Sequence, residues 1–252
     1  MFVRPPTADR KEISPIFYNP NHRSSISRQR AALPIFKKRR EILYAVERYR
    51  TTILIGDTGS GKSTQVPQYL HEAGWSREGM IGCTQPTRVA TVALARRVAS
   101  ERSSRLGEEV GFEAMFGRNY DDNKTRIKYV TDNHLIREMM VDPLLSKYSV
   151  LIVDEAHERS LFTDVIFGLL RKIRVRRPDL RLVISSATIE AEKFLKFFER
   201  GKQNQDTSII LSIFSMRNYP IDVMYLEKPI SNYIETAVQT TLQIHARERP
   251  GT

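Results

Sequence analysis

The chain has 252 residues, 40% of them hydrophobic and 27% charged, with 40 Lys and Arg against 29 Asp and Glu for a formal net charge of +11. That length suits one large domain or one domain with extensions, and the balance suits a folded soluble chain rather than a disordered one. A single cysteine, Cys83, rules out an internal disulfide framework; no apolar run reaches the ~20 residues of a membrane span, and MFVRPPTADRKEISP has no apolar signal segment. A cytosolic or nuclear chain is expected.

The basic charge is concentrated at the start. Residues 1–50 carry twelve Lys and Arg and four Asp and Glu, a net of +8, which leaves +3 for the rest. This points to a polyanion partner or to a solvated tail. Residues 1–33 read as poorly structured, with PP at 5–6, NPNHRSS at 19–25 and no periodicity. Pro34 then opens a predicted helix with Ile35, Ile42, Val46 and Tyr49 on one face. The Lys37–Arg40 cluster on it is a solvated helix face or a short nuclear-targeting signal.

Short apolar runs then alternate with amphipathic stretches. Strands are expected at 51–55, 80–84, 127–130, 150–153 and 182–185, and helices at 62–73, 88–100, 132–141, 161–174 and 190–198. Unbroken apolar strands such as VLIV belong to sheets covered on both faces, and the alternation implies βαβ crossovers. The fold class is therefore α/β, a mostly parallel sheet with helices on both faces. Residues 200–208 read as an exposed loop, and IILSIFSMRNYPIDVMYL with a helix-like ISNYIETAVQTTLQIHARE as an extension.

Gly56-Asp57-Thr58-Gly59-Ser60-Gly61-Lys62-Ser63 fits the phosphate-loop pattern G-x-x-x-x-G-K-[ST], with a strand before it and the 62–73 helix after it, and Thr64 joins these residues as a candidate for nucleotide binding. Glycines at 56, 59 and 61 permit backbone turns that a Cβ would obstruct. The loop amides then converge on phosphate oxygens at a helix N-terminus. Lys62 supplies a charge to the β- and γ-phosphates, and Ser63 a hydroxyl to Mg²⁺. The alternative, a Gly-rich turn without a ligand, fits the flanking strand and helix less well.

Asp154 and Glu155 end the VLIV strand, where a parallel sheet opens on its ligand crevice. Asp154 suits a Mg²⁺ ligand there, and Glu155 a residue that orients and deprotonates the attacking water near the same ion. Two carboxylates so close repel unless a cation or a proton sits between them. Strand-end residues that merely face solvent are the alternative. His157 follows closely enough to act near the nucleotide. Ser186-Ala187-Thr188 ends the next strand, with hydroxyls expected in the same crevice.

Together these residues resemble the DEAH-box RNA helicases of superfamily 2. GDTGSGKST is similar to their motif I, Thr84-Gln85-Pro86-Thr87-Arg88-Val89-Ala90 to motif Ia, Thr131-Asp132-Asn133-His134-Leu135 to motif Ib, Asp154-Glu155-Ala156-His157 to motif II, and SAT to motif III. The likeness runs from about Leu33 to Phe198, more weakly to RNYPIDVMYL, and leans to the spliceosome-associated branch. It implies a RecA-like P-loop domain over 33–205 that binds ATP and Mg²⁺, preceded by a basic extension (1–32) and followed by a linker and the start of a second RecA-like domain (206–252). It further implies that His157, Ser186 and Thr188 couple nucleotide state to that partner domain, that Arg97 stacks on adenine, and that Arg88 and Thr131 contact the backbone of single-stranded RNA. Such contacts carry no base specificity.

Two positions depart from the family pattern. Thr87 replaces an arginine, which removes a charge from the RNA grip. Asn133 replaces a glycine, and asparagine is the next-best residue for a left-handed turn. No motif VI-like arginine motif is present, so the second RecA-like domain is expected to be missing from this chain. An arginine finger is worth about 10³–10⁵ in rate, so nucleotide binding with slow hydrolysis is expected. The resemblance thus implies the ATP-binding half of an ATP-dependent RNA helicase, acting in the nucleus with spliceosomal partners, or else in the cytoplasm. Other readings are a nucleotide-dependent RNA or protein interaction module without turnover, and a P-loop ATPase working on protein or DNA.

Overall fold

The computed structural model describes residues 2–3, 24–187, 191–199, 208–213, 225–226 and 229–247. The chain divides into two compact units, residues 30–215 and residues 1–29 with 216–252. The second unit holds β1 (Phe2–Val3), which pairs antiparallel with a late strand at Tyr225–Leu226, and a late helix at Tyr233–Arg247. The segment that reads as unstructured also contains α1 (Ile26–Ala32), so that expectation is corrected there.

In the larger unit, Pro34–Lys38 forms a 3₁₀ turn that leads into α2 (Arg39–Arg48). Then follow β2 (Thr51–Gly56), α3 (Lys62–Glu72), β3 (Met80–Gln85), α4 (Arg88–Glu101), β4 (Val110–Ala114), β5 (Gly117–Asn119), β6 (Ile127–Thr131), α5 (Asp132–Val141), β7 (Tyr148–Val153), α6 (Leu161–Arg176), β8 (Arg181–Ser186), α7 (Ala191–Glu199) and β9 (Ser208–Ile213). The strands at 225–226 and the helix at 233–247 are β10 and α8.

The eight strands of the large sheet run β5-β4-β6-β3-β7-β8-β2-β9. All adjacent pairs are parallel except β4 with β5. The sequence does not announce β4 and β5. It also does not place β9, which pairs with β2 from Thr51↔Ser208 to Gly56↔Ile213. The ATP-binding unit expected to close at 205 therefore runs to 215.

Two apolar layers follow from the period of two along each strand. Ile53, Leu151, Val153, Leu182 and Ile184 point to one face, covered by Leu135 and Met139 of α5, Phe167 and Leu170 of α6, and Phe194 and Phe198 of α7. Leu54, Val150, Ile152 and Val183 point to the other, covered by Ile42 of α2, Val66 and Leu70 of α3, and Ala95 and Val98 of α4. With both faces dry, each strand reads as a continuous apolar run. All the parallel strands end at one edge, so Gly56, Gln85, Thr131, Val153 and Ser186 finish side by side.

Candidate functional site

The glycines of the loop after β2 have distinct tasks. Gly59 and Gly61 sit at φ +83° and +98°, where a side chain is strained. A Cβ on Gly61 would come within 3.0 Å of Ile35 and Leu33, and one on Gly56 within 3.0 Å of Ile213. The loop is thus fitted between the 3₁₀ turn and β9. Lys62, the first residue of α3, is nearly buried. Its ammonium donates to the Gly56 carbonyl at 2.5 Å and the Asp57 carbonyl at 2.9 Å, and lies 3.4 Å from Ser60 Oγ. Burial lowers its pKa, while Asp154, Glu155 and Asp57 pull it back up.

Asp154 leaves β7 with 1% of its surface exposed. Gln85 Nε2, from the end of β3, donates to Asp154 Oδ2 at 2.6 Å. Asp154 Oδ1 is buried and accepts from nothing among the described residues. A buried carboxylate oxygen without a donor is costly, and here it belongs to an acid whose charge acts on Lys62 of the phosphate loop. Glu155 holds a left-handed backbone at φ 50°, uncommon for a non-glycine residue. Burial first, and the Asp154 charge second, push its carboxyl pKa up.

His157 Nδ1 accepts the backbone N–H of Ala187 at 3.2 Å and lies 3.5 Å from Glu155 Oε2. The bond ties the turn after β7 to the end of β8. Ser186 is fully buried at the end of β8, beside Ile55. Thr188 lies outside the described residues.

A cleft of about 300 Å³ opens over the loop, lined by Thr58, Gly59, Gly61, Lys62, Ser63 and Thr64. Leu33, Leu94, Arg97, Glu101 and Glu155 complete its walls. Arg97, half exposed, donates to Glu101 Oε1 at 2.7 Å. The buried Glu101 also accepts from Gln65 at 2.8 Å and Gln68 at 2.7 Å. Sequence reasoning passes over Glu101, Gln65, Gln68 and Gln85. The spacings 65/68 on α3 and 97/101 on α4 were the available signals, since such pairs share a helix face.

Thr131 ends β6 in register with Gln85, the last residue of β3, and Arg88 opens α4 three residues after Gln85. Arg88 is exposed. Thr131 is 8% exposed and its hydroxyl is bonded to His134 Nδ1 at 3.0 Å, so only Arg88 offers its side chain to solvent. Thr87 takes a structural place, and the expectation for Asn133 changes. Thr87 caps α4, with Oγ1 accepting from the Ala90 N–H at 3.2 Å. Asn133 is the second residue of α5 and not a left-handed turn.

A family profile described as DEAD/DEAH box helicase matches residues 27–197. Over 240 residues, 94% of its length, the chain is 51% identical to the probable ATP-dependent RNA helicase DHX35 of Homo sapiens. It is 50% identical over 237 residues (92% of its length) to the DHX35 homolog of Caenorhabditis elegans. It is 46% identical over 239 residues (94%) to the pre-mRNA-splicing factor ATP-dependent RNA helicase prp22 of Schizosaccharomyces pombe. The aligned regions span 34%, 32% and 20% of these three relatives, so the chain covers about a third of their length or less. A phosphate loop, an aspartate with a free buried oxygen and a histidine bridging two strand ends, found where the profile matches, lead to one assignment: the chain belongs to the DEAD/DEAH box helicase family.

Proposed function

We propose that the chain is the ATP-binding half of an ATP-dependent RNA helicase that hydrolyses ATP and remodels single-stranded RNA. The observation that carries the reading is the orphaned, buried Asp154 Oδ1 beside the buried Lys62 of the phosphate loop. That atom suits a hard cation. Asp154 and Ser63 are the residues that would hold Mg²⁺, with Glu155 close by. Among the described residues no three His, Cys, Asp or Glu gather into a metal site, so the ion would draw its remaining ligands from phosphate oxygens and water. Held there, Mg²⁺ would supply positive charge against the phosphoryl group being transferred.

The protein's own part follows from the geometry. The loop amides and Lys62 bind the phosphates. Arg97, held by Glu101, forms a flat wall for the base, which suits stacking and tolerates any purine. Glu155, with its raised proton affinity, takes the proton of the attacking water. His157 transmits the change at Glu155 to Ala187 and on toward Thr188. Arg88 contacts RNA phosphate, and the basic early segment adds to the grip. Similarity to a pre-mRNA-splicing factor, prp22, supports work on pre-mRNA in the nucleus with spliceosomal proteins as partners. No helix among the described residues is long and apolar enough to cross a membrane.

Lys62→Ala should lower ATP affinity at least about a hundredfold, and Glu155→Gln should keep affinity while abolishing turnover. Fluorescent-ATP titration and phosphate release measure both. Unchanged ATP affinity in Lys62→Ala would end the site assignment. RNA binding should weaken linearly in log salt, and a flat response would exclude the phosphate contacts.

A further inference from the structure

The C-terminal halves of α5 and α6 leave a groove of about 530 Å³ on the face away from the phosphate loop's helix. Met139, Met140, Leu144, Leu169 and Ile173 are among its lining residues, and Met140 and Val175 are 79% and 73% exposed. Its only charged members are Lys172 and Arg176. Neither has a hydrogen bond, ion pair or ring contact among the described residues, and no carboxylate lines the groove. Arg176 sits in the last turn of α6 and Lys172 one turn before it. The surface is therefore apolar along its floor and positive along its rim, with nothing of its own to neutralise that rim.

We propose that this groove docks a protein partner through a short amphipathic helix whose apolar side is flanked by acidic residues. The charge fixes the sign of the partner, because a basic segment would face two uncompensated cations in a partly desolvated groove. The floor fixes its class. It has no aromatic side chain on which a base could stack, so RNA gains only the two charges there. Methionines give a floor that adapts to branched side chains, as helix-in-groove recognition requires.

The location gives docking a consequence. α5 begins at Asp132, directly after Thr131, and α6 begins at Leu161, just past His157. The N-termini of the two helices are joined to each other, Thr163 Oγ1 donating to Asp132 Oδ2 at 2.7 Å, and their C-terminal halves line the groove. A helix wedged between their far ends would restrict how α5 and α6 move relative to each other while nucleotide turns over. This goes beyond the helicase reading and does not depend on it, since binding can be measured without nucleotide.

The test uses a fluorescein-labelled synthetic helix of about 16 residues, long enough to fold on contact, with Leu along one face and Glu elsewhere. A twin carries Lys in place of Glu. Fluorescence anisotropy with the full chain should show saturable binding of the acidic peptide, and at least about tenfold weaker binding of the twin. Lys172→Glu combined with Arg176→Glu should invert that preference, and Met140→Ala, which removes apolar floor without adding charge, should weaken both peptides. All these positions are exposed or on the rim, so thermal melting should be unchanged. Equal binding of the two peptides, or an unaltered preference in the double variant, overturns the proposal. So does a response only to phosphatidylserine vesicles, which would mark a membrane surface. Concentration-dependent dimerisation lost in the double variant would assign the groove to a second copy of the chain and overturn it as well.

Discussion

Asp154 and Gln85 show how one hydrogen bond divides a carboxylate into two working halves. Gln85 Nε2 occupies Oδ2, which fixes the rotation of the group and leaves Oδ1 as the only atom free for a cation. Partners of this kind are worth about 10–100-fold in metal affinity when removed. Gln85→Leu should therefore raise the Mg²⁺ concentration needed for half-maximal nucleotide binding by about that factor, read from a Mg²⁺ titration of fluorescent-ATP binding. Gln85→Glu should be worse, because it sets a second carboxylate 2.6 Å from Asp154 Oδ2. A Mg²⁺ dependence unchanged in Gln85→Leu would show that Asp154 is held by its strand alone. Gln85 was in plain view within the TQPT stretch, yet only the register of β3 against β7 makes it a neighbour of Asp154. Residues that act on the ligand advertise themselves by local pattern, as the glycines of the phosphate loop do. Residues that position them are set by strand pairing, which a single sequence leaves open.

The same division holds for whole elements. The βαβ repeats were legible because β2, β7 and β8 are apolar on both faces and are followed by helices with clear periods. β4 and β5 were not, since their strand character is imposed by neighbours. A Cβ on Gly111 of β4 would lie 2.4 Å from Tyr120 Cβ and 2.7 Å from the Asn119 carbonyl, so the site demands the residue least inclined to strands. Beside it, Lys128 of β6 is 1% exposed and bonds Glu113 of β4 at 2.7 Å and Glu138 of α5 at 2.5 Å. Its ammonium also lies 3.9 Å from the centre of the Tyr120 ring. Burial opposes the charge on Lys128, but the two carboxylates outweigh it and raise its pKa. The cluster thus staples β4, β6 and α5 through one cation. Removing the cation leaves two carboxylates that water still reaches in part, whereas removing both anions strands a buried ammonium. Glu113→Gln with Glu138→Gln should cost about 3–5 kcal/mol in chemical denaturation, and Lys128→Met distinctly less. Equal costs would mean that the packing of the lysine stem, and not its charge, is what matters.

For the molecule as a whole, the placement of β9 decides where the ATP-binding unit ends. SIILSI has an obvious strand pattern, but pattern alone does not say which sheet a strand joins. In the structure β9 pairs with β2 along its whole length. Ile213 is 3% exposed and packs on Gly56, the first residue of the phosphate loop. β9 therefore does two things for the nucleotide site. It covers the edge of β2, which would otherwise present a row of unpaired backbone groups, and it supplies the wall against which the loop begins. A boundary at 205 removes both, and one at 215 keeps both. A chain ending at 215 should melt in one cooperative step and bind ATP like the full chain. A chain ending at 207 should melt earlier, aggregate on warming and lose ATP affinity, although every residue of the five motifs remains in it. Differential scanning fluorimetry and fluorescent-ATP titration of the two chains separate the cases. If the shorter chain matched the longer in both, β9 would be an ornament on the sheet, and the phosphate loop would owe its shape to β2 and α3 alone.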